Sequence, residues 1–482
     1  MLAVANMLGL MLVAFSAAYL LPIVAALLAG DGTFGAFLAA ALVTAGAGVA
    51  LTAATRRRAR ELKPRDGFLL LTAGWVMMSA SAALPLIMLL PKLTFTRAYF
   101  EAMSGLTSTG ATVLTGLDRL PPALNLWRCT LEWCGGLAII VLAIAVMPLL
   151  GIGGMQLYRG ETTGVVKEDK LTPRITETVR SLSYAYTTLT AVGIVALRLC
   201  GMSWLDAICH CFSAVGLGAF STHDESVRFF HSPAVELTLA ALMIVACLSF
   251  ARHFAALRRL TLEPYRRDPE ARAIVVLLGA SVVGIALLLT ARGTYPGFWV
   301  SLRHAFFNVV SVATTSGLVS DDYTRWPLLA PFWMLFLCTV LASTGSAGGG
   351  IKMFRTLLLS REAGRELKLL VHPSAVAPVR IGGRLVPERV RDSVLAFVFL
   401  YFTTTVLLTF ALLGTGLDFH SSFGAIVATI NNTGPGLGVV GPFKTYQGLT
   451  ALQIWICTAA MLLGRLEIFS VLVLLTPAFW RK

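Results

Sequence analysis

Charged residues are scarce in this sequence. Only 13% of its 482 residues are Asp, Glu, Lys or Arg, whereas 56% are hydrophobic. Soluble domains carry about 25% charged residues, so the composition excludes an ordinary soluble domain and predicts a polytopic membrane protein. Acidic residues are the rarer kind, and the formal net charge is +14. We assign this excess to basic loops at the cytoplasmic face rather than to nucleic-acid binding.

The sequence also lacks the patterns of an enzyme or of a metal centre. Its eight cysteines lie mostly inside apolar runs, and Cys209-His210-Cys211 is too tightly spaced for a zinc site. His304 and His420 are isolated, and no paired carboxylates or nucleophile–base set stand out. The sequence therefore predicts a protein that is not an enzyme and has no bound cofactor.

Apolar runs of membrane length alternate with shorter ones. Residues 1–55 predict an N-terminal transmembrane hairpin. A unit then repeats: a spanning segment (M1), a short re-entrant pore helix, a turn of small residues and a second spanning segment (M2). The four units are predicted at residues 67–158, 181–258, 273–360 and 391–480. We predict an all-α polytopic membrane protein in which four parallel repeats surround one pore, with ten full spans.

Basic residues cluster in the loops between these units. The clusters lie at residues 56–65, 159–180, 252–272 and 355–391. The positive-inside rule places all of them, together with the N- and C-termini, on the cytoplasmic side. The four turns then fall in the external half of the membrane.

Each predicted pore helix is followed by a turn of small residues. The turns are Leu106–Thr112, Val215–Thr222, Thr314–Leu318 and Asn431–Gly436. Non-helical backbone at membrane depth persists only when it is buried in protein or lines a water-filled path. Carbonyl oxygens of such a turn can replace the hydration shell of a potassium ion. Helix packing by small residues explains any single turn equally well, but four equivalent turns favour a cation pore.

Acidic residues follow the turns on the external side. They are Asp118, Asp224, Glu225, Asp321 and Asp322. A negative mouth that concentrates cations is one interpretation, and ordinary acidic loop residues are the other. The sequence leaves both open.

Five stretches resemble the Trk/Ktr/HKT superfamily of potassium transporters, and most nearly the bacterial TrkH/TrkG subunits. They are Lys63–Phe68, Gly105–Thr112, Gly151–Arg159, Asn431–Gly438 and Gly464–Glu467. The resemblance covers nearly the whole chain. It implies potassium (K+) as the transported ion, a homodimer embedded in the lipid of the bacterial inner membrane, and a cytoplasmic nucleotide-binding regulatory ring of the TrkA type.

By the same resemblance, the potassium-binding filter falls on four triplets. They are Ser108-Thr109-Gly110, Gly216-Leu217-Gly218, Thr315-Ser316-Gly317 and Asn432-Thr433-Gly434. Many members of the family have two adjacent glycines in the second filter, whereas Gly218 is followed here by Ala219. Leu217 can offer only its backbone carbonyl. We expect potassium selection to persist, with the discrimination against sodium and rubidium left open.

A glycine-serine run interrupts a spanning segment of the third repeat, within residues 342–350. Its members are Ser343, Thr344, Gly345, Ser346, Gly348, Gly349 and Gly350. Each glycine inside a helix costs about 1 kcal/mol, so the run predicts a loop, although a kinked and closely packed helix is the alternative. The resemblance implies an intramembrane gating loop at this position.

Arg465 is predicted to lie well inside the last span, where a charge is costly and requires a partner. We hypothesise that Arg465 binds a carbonyl of the gating loop or Glu467 and holds the loop across the pore. The i,i+2 spacing makes Glu467 the poorer partner. We interpret Lys352, at the end of the run, as an interfacial residue whose amine reaches towards water.

Two kinds of transport fit the pattern. One is a potassium-uptake pore that is gated by the loop and by a cytoplasmic partner. The other is a proton- or sodium-coupled secondary transporter, which is a symport mechanism. Glu132 and Glu467 are the nearest candidates for a proton relay, but they form no chain of acids, so the sequence favours the first.

Overall fold

The computed structural model describes residues 2–56, 63–142 and 171–481. The stretch Gly151–Arg159 and the predicted end of the first repeat at residue 158 lie outside these ranges. Within them the regular secondary structure is helical apart from one antiparallel pair of strands, Arg380–Ile381 and Arg384–Leu385.

The N-terminal hairpin forms as predicted. It consists of Leu2–Ser16, the 3-10 turn Ala17–Tyr19, Leu20–Ala29 and Phe34–Thr55. Its two arms pack through small residues, since a Cβ placed on Gly9 would lie only 2.7 Å from the carbonyl oxygen of Gly48. The ring of Tyr19 stacks on Trp127 of the first repeat at a centroid distance of 4.4 Å.

Four repeats of M1, pore helix and M2 follow. The M1 helices are Pro64–Ala82 with Leu84–Leu89, Leu171–Leu199, Pro269–Ala291 and Glu388–Leu413. The pore helices are Phe95–Leu106, Trp204–Gly216, Phe298–Ala313 and Phe419–Ile430. The M2 helices are Pro122–Val141, Pro233–Cys247 with Phe250–Arg259, Leu329–Val340 with Met353–Val371, and Ala451–Arg465 with Phe469–Leu475 and Pro477–Trp480.

Short elements connect these helices. The helix Glu263–Arg266 lies between the second and third repeats. The 3-10 turns that follow the pore helices are Leu117–Arg119, Ser226–Phe230, Tyr323–Arg325, Gly438–Val440 and Tyr446–Gly448.

The M2 helices are less regular than predicted. Six described helices are long and apolar enough to cross a membrane, and two bent pairs raise the number to eight, against ten predicted spans. The second M2 bends by 100° after Cys247 and the fourth by 116° after Arg465. The third is interrupted by residues 341–352, which are not helical, where the glycine-serine run at 342–350 predicted a loop. Apolar content alone cannot reveal the bends in the second and fourth M2, because the bent segments remain apolar.

Capping side chains fix where two pore helices begin. The hydroxyl of Ser203 accepts the amide of Asp206 at 3.1 Å, and the carboxylate of Asp418 accepts the amide of Ser421 at 3.0 Å. In both helices the capping side chain thereby provides an acceptor for a backbone amide of the first turn. The opposite, C-terminal halves of all four pore helices are buried.

Candidate ion-conduction site

Each pore helix ends in a turn with the same hydrogen bond. An amide donates to the carbonyl five residues earlier, at 2.8–2.9 Å in all four cases. The pairs are Thr109 to Ser104, Gly218 to Ser213, Ser316 to Ser311 and Thr433 to Ala428. The four turns are therefore structurally equivalent, and these bonds give their alignment without reference to side chains.

The residue before each of these amides has a left-handed backbone. The φ angles are 50° at Ser108, 53° at Leu217, 66° at Thr315 and 54° at Asn432. Such angles at residues other than glycine cost about 1–3 kcal/mol each. Four of them at one equivalent position indicate that the turn geometry itself is required.

This geometry sets the direction of the carbonyl groups. In a trans peptide the N–H and the preceding C=O point in opposite directions. Because each amide donates back to its pore helix, the carbonyl of the left-handed residue points away from that helix. The four carbonyls thus have the same orientation relative to their pore helices, which leaves them free to face the space that the turns enclose.

The four turns contact one another in chain order. Ser316 Oγ donates to the carbonyl of Gly218 at 3.1 Å, and Asn432 Nδ2 donates to Thr109 Oγ1 at 2.9 Å. A Cβ on Gly317 would lie 1.9 Å from the carbonyl oxygen of Thr433. The structure thus brings the four predicted triplets into one closed ring.

The second turn differs from its predicted triplet by one residue. The amide bonds align Leu217-Gly218-Ala219, rather than Gly216-Leu217-Gly218, with the other three triplets. Ala219 therefore occupies the position of Gly110, Gly317 and Gly434. These three glycines have φ angles of 75° to 88°, whereas Ala219 is not among the residues of positive φ. The sequence did not reveal this shift, because Gly218 stands one position before the residue that aligns with the other three glycines.

A cavity of about 170 Å³ lies above the ring. Its floor includes Gly110, Ala219, Gly317 and Gly434, and its wall includes His223. On the opposite side the ring contacts the 341–352 segment. The ring therefore separates this cavity, which we call the vestibule, from the 341–352 segment.

The acidic residues near the vestibule all have protein partners. Glu225 pairs with Arg228 at 3.0 Å, Asp322 with Arg325 at 3.3 Å, and Asp321 with the hydroxyl of Tyr295. The Asp224 carboxylate accepts two backbone amides of the first repeat, at 2.9 and 3.1 Å. These contacts support the interpretation of the acidic residues as ordinary loop residues, rather than as a negative pore mouth that concentrates cations.

Asp118 pairs with His223, which also lies 3.3 Å from the Asp206 carboxylate. Partial burial of the imidazole opposes its protonation, but the two carboxylates outweigh this effect and raise the pKa of His223. Partial burial also acts on Asp118, but the hydrogen bonds from His223 and from the Asp224 amide hold the pKa of Asp118 below its usual value. The loops of the first two repeats are thus joined by a charged pair.

Two buried carboxylates brace the first and second turns from behind. Glu101 accepts the amide of Val113 at 2.9 Å and pairs with Arg128 at 2.9 Å. Glu132 accepts the amide of Phe220 at 3.0 Å and the hydroxyl of Ser213. Glu101 and Arg128 are not among the predicted site residues, although acidic and basic residues inside apolar segments are the signal that marks them in the sequence. Glu132 is thus held by the second pore helix and its turn rather than placed in a chain of acidic residues.

The 341–352 segment packs against the underside of the ring. The amide of Gly349 donates to Thr315 Oγ1 at 3.2 Å, and a Cβ on Gly349 would lie 2.1 Å from the carbonyl oxygen of Asn431. Glycine is therefore required there by close approach of two backbones.

Arg465 joins this segment to the first repeat. Its guanidinium donates to the carbonyl of Ala347 at 2.7 Å, to Ser108 Oγ at 3.1 Å and to the carbonyl of Gly135 at 2.9 Å. Two partners for Arg465 were predicted from the sequence, a loop carbonyl and Glu467, and the loop carbonyl is the one that it binds. Glu467 instead pairs with Arg355 at 2.5 Å.

The interpretation of Lys352 as an interfacial residue is wrong. Its side chain is buried, and its amine lies 3.9 Å from the Glu467 carboxylate. The bend in the fourth M2 turns Glu467 towards the end of the loop, and this bend could not be foreseen from the sequence. Among the described residues, no group of three or more His, Cys, Asp or Glu could hold a metal ion.

Comparisons with known proteins agree with this architecture. A family model described as a cation transport protein, TrkH, matches residues 35–482. The Trk system potassium uptake protein TrkH of Salmonella typhimurium is 43% identical, with 100% of this chain and 99% of the relative covered. The Trk system potassium uptake protein TrkG of Escherichia coli is 37% identical, with 99% and 98% covered.

A solved structure extends the comparison to three dimensions. The potassium transporter TrkH from Vibrio parahaemolyticus superimposes with a TM-score of 0.92 at 40% identity, and the match covers 100% of this chain and 99% of that one. The chain belongs to the TrkH family of cation transport proteins. The family resemblance and the fold class predicted from the sequence are thereby confirmed, and the TrkH family is one of transporters rather than enzymes.

We expect Gly317→Ala to abolish cation transport. The new Cβ would lie 1.9 Å from the carbonyl oxygen of Thr433, at a φ of 80° that disfavours alanine. Uptake of rubidium by proteoliposomes should fall at least about tenfold, which corresponds to 1.4 kcal/mol in the barrier. Gly279→Ala in the third M1 is the matched control, because no atom lies within 4 Å of its Cβ position. Equal losses in both variants would contradict the filter assignment.

We expect His223→Gln to lower the thermal stability of the detergent-purified protein in a pH-dependent way. The raised pKa of His223 adds stability that is fully present below the ordinary value of about 6.5 and is lost as the pH rises through the folded value. The lowered pKa of Asp118 adds stability that is present above about pH 4 and is lost on acidification.

The melting temperatures of wild type and variant should therefore differ most between about pH 4 and 6.5 and converge in alkaline buffer. The exposed His420, substituted by Gln, serves as the control. A difference that widens towards alkaline pH would be inconsistent with the charged pair.

Proposed function

We propose that this chain is the membrane subunit of a potassium uptake system and that the ring of four turns is its selectivity filter. The observation that carries the proposal is the four-fold repetition of one left-handed turn, in which each amide donates back to its pore helix. We infer that the carbonyls of these turns face a common space. Relatives named as potassium uptake proteins match over the full length of the chain.

Carbonyl oxygens suit potassium because they replace its hydration shell without a formal charge. The described filter triplets contain no acidic or basic side chain. The C-terminal ends of the pore helices add a negative partial charge on the same side, which favours a cation. Selection of potassium then rests on backbone geometry that the buried carboxylates hold in place.

The non-helical segment of the third repeat is the proposed gate. It contacts the filter on the side away from the vestibule, and the cavity beside Gly349, Arg465 and Glu467 has a volume of only about 10 Å³. That volume is about the room that one water molecule needs, so the loop fills the path. The guanidinium of Arg465 fixes the loop there and adds a positive charge that repels cations.

The gate is connected to a region where a regulatory partner could bind. Glu270 accepts the amide of Thr344 at 2.8 Å and the hydroxyl of Ser343 at 3.0 Å. It lies at the start of the third M1, shortly after the helix Glu263–Arg266 and Arg267. A force on this short helix would reach the proposed gate through one carboxylate.

The partner we propose is a cytoplasmic nucleotide-binding ring of the TrkA type. We further propose that the chain acts as a homodimer in the bacterial inner membrane, with both termini in the cytoplasm. A proton- or sodium-coupled mechanism is less favoured, since Glu132 is occupied by the Phe220 amide and the Ser213 hydroxyl. Protonation would weaken the hydrogen bonds by which Glu132 holds the second turn, so this carboxylate is poorly suited to carry a transported proton.

The transport mode can be measured with the full chain in proteoliposomes. Under an imposed inside-negative potential, we expect rubidium or potassium uptake that follows the potential and is unchanged by a superimposed proton gradient. Uptake that depends on the proton gradient would favour the coupled mechanism. The absence of any potassium-dependent flux would contradict the proposed function.

The gate is tested by Arg465→Ala. Its three hydrogen bonds each involve a charged donor and contribute about 1.5–3 kcal/mol, so partner-independent rubidium flux should rise at least about tenfold. Arg180→Ala, at an exposed position of the second M1, is the control. If flux and its response to the partner are unchanged in Arg465→Ala, the residue does not hold the gate.

A further inference from the structure

We propose that Ala219 is a specificity-determining residue that narrows the filter at one ring and disfavours the larger alkali cations there. The inference rests on the proposed function and names one side chain that sets its selectivity. In the alignment of the four turns, Ala219 occupies the position at which the other three turns have glycine.

The methyl group of Ala219 points at its three counterparts. Cβ atoms placed on Gly110, Gly317 and Gly434 would lie 2.5, 2.9 and 3.0 Å from the Cβ of Ala219. A Cα–Cβ bond is about 1.5 Å long, so the methyl carbon lies within about 4.5 Å of all three glycine Cα atoms. The first and third turns flank the second, and the fourth lies opposite. The methyl group therefore extends across the ring.

Exposure agrees with this placement. Ala219 is only partly buried and forms part of the vestibule floor, whereas the three glycines are buried. A methyl carbon offers no lone pair to a cation, and at this ring it occupies volume that would otherwise be available to the ion. A larger cation needs more oxygen ligands and more room, so the cost rises from sodium to potassium to rubidium.

The neighbouring residue explains why the glycine is displaced. A Cβ on Gly218 would lie 2.3 Å from the carboxyl carbon of Glu132. The carboxylate that braces the second turn therefore requires glycine at 218 and leaves 219 free to carry a side chain. The Phe220 amide points back to the same carboxylate, so the Ala219 carbonyl points towards the ring. The second turn keeps its oxygen ligand but adds a methyl group.

The test uses the full chain in proteoliposomes and compares Ala219→Gly and Ala219→Val with wild type. Rubidium uptake is measured in competition with sodium and with potassium. We expect Ala219→Gly to raise the preference for potassium and rubidium over sodium by roughly tenfold, equivalent to about 1.4 kcal/mol. Ala219→Val, which enlarges the side chain, should lower uptake of potassium and rubidium more than that of sodium.

Ala234→Gly removes a methyl group at an exposed site on the second M2 and is the control for a general effect. An unchanged selectivity ratio in Ala219→Gly, with uptake intact, overturns the inference and leaves the proposed function standing. Loss of uptake in Ala219→Gly alone also overturns it, since glycine is the residue of the other three turns. Absence of uptake in wild type and variants alike contradicts the proposed function itself.

Discussion

Backbone that leaves the helical conformation inside a membrane must find partners for every amide and carbonyl within the protein or in a water-filled path. This constraint governs the four turns. Each solves it by returning one amide to its pore helix, and that bond fixes the opposite carbonyl towards the centre. The strained residues at Ser108, Leu217, Thr315 and Asn432 are the consequence. In the filter that we propose, each peptide therefore satisfies its amide within the protein and offers its carbonyl to the ion.

The buried charges form two layers around this ring. Behind it, Glu101 with Arg128 and Glu132 bind backbone amides and carbonyls of the first and second turns. Below it, Arg465 binds carbonyls directly, and Glu467 pairs with Arg355. Removing one partner of such a buried set leaves an uncompensated charge, which is strongly destabilising. The charges therefore specify one geometry of the pore more than they add net stability.

The periodicity of apolar runs was sufficient to predict the hairpin, the four pore helices and the M1 helices, because length and composition determine which segments lie in a membrane. The glycine-serine run also predicted a non-helical segment at 342–350, and residues 341–352 are not helical. The bend after Arg465 and the burial of Lys352 depend on tertiary pairing with Glu467, which no local pattern encodes. The one-residue shift of the second turn depends on Glu132, which lies 86 positions before Gly218. Local sequence therefore predicts where a turn lies better than which of its residues faces the axis.

The bend in the fourth M2 places two opposite charges on one hinge. Arg465, before the bend, is tied to Ala347 and Ser108, and Glu467, after it, is tied to Lys352 and Arg355 at the far end of the loop. The middle of the loop and its C-terminal end are thus attached to the four-residue stretch Arg465–Ile468, in which Glu467 and Ile468 have φ angles of 54° and 24°. A rotation at this hinge acts on both attachments at once. If this loop is the gate that we propose, its opening is an all-or-none rearrangement, because a half-released loop would leave one buried charge without its partner.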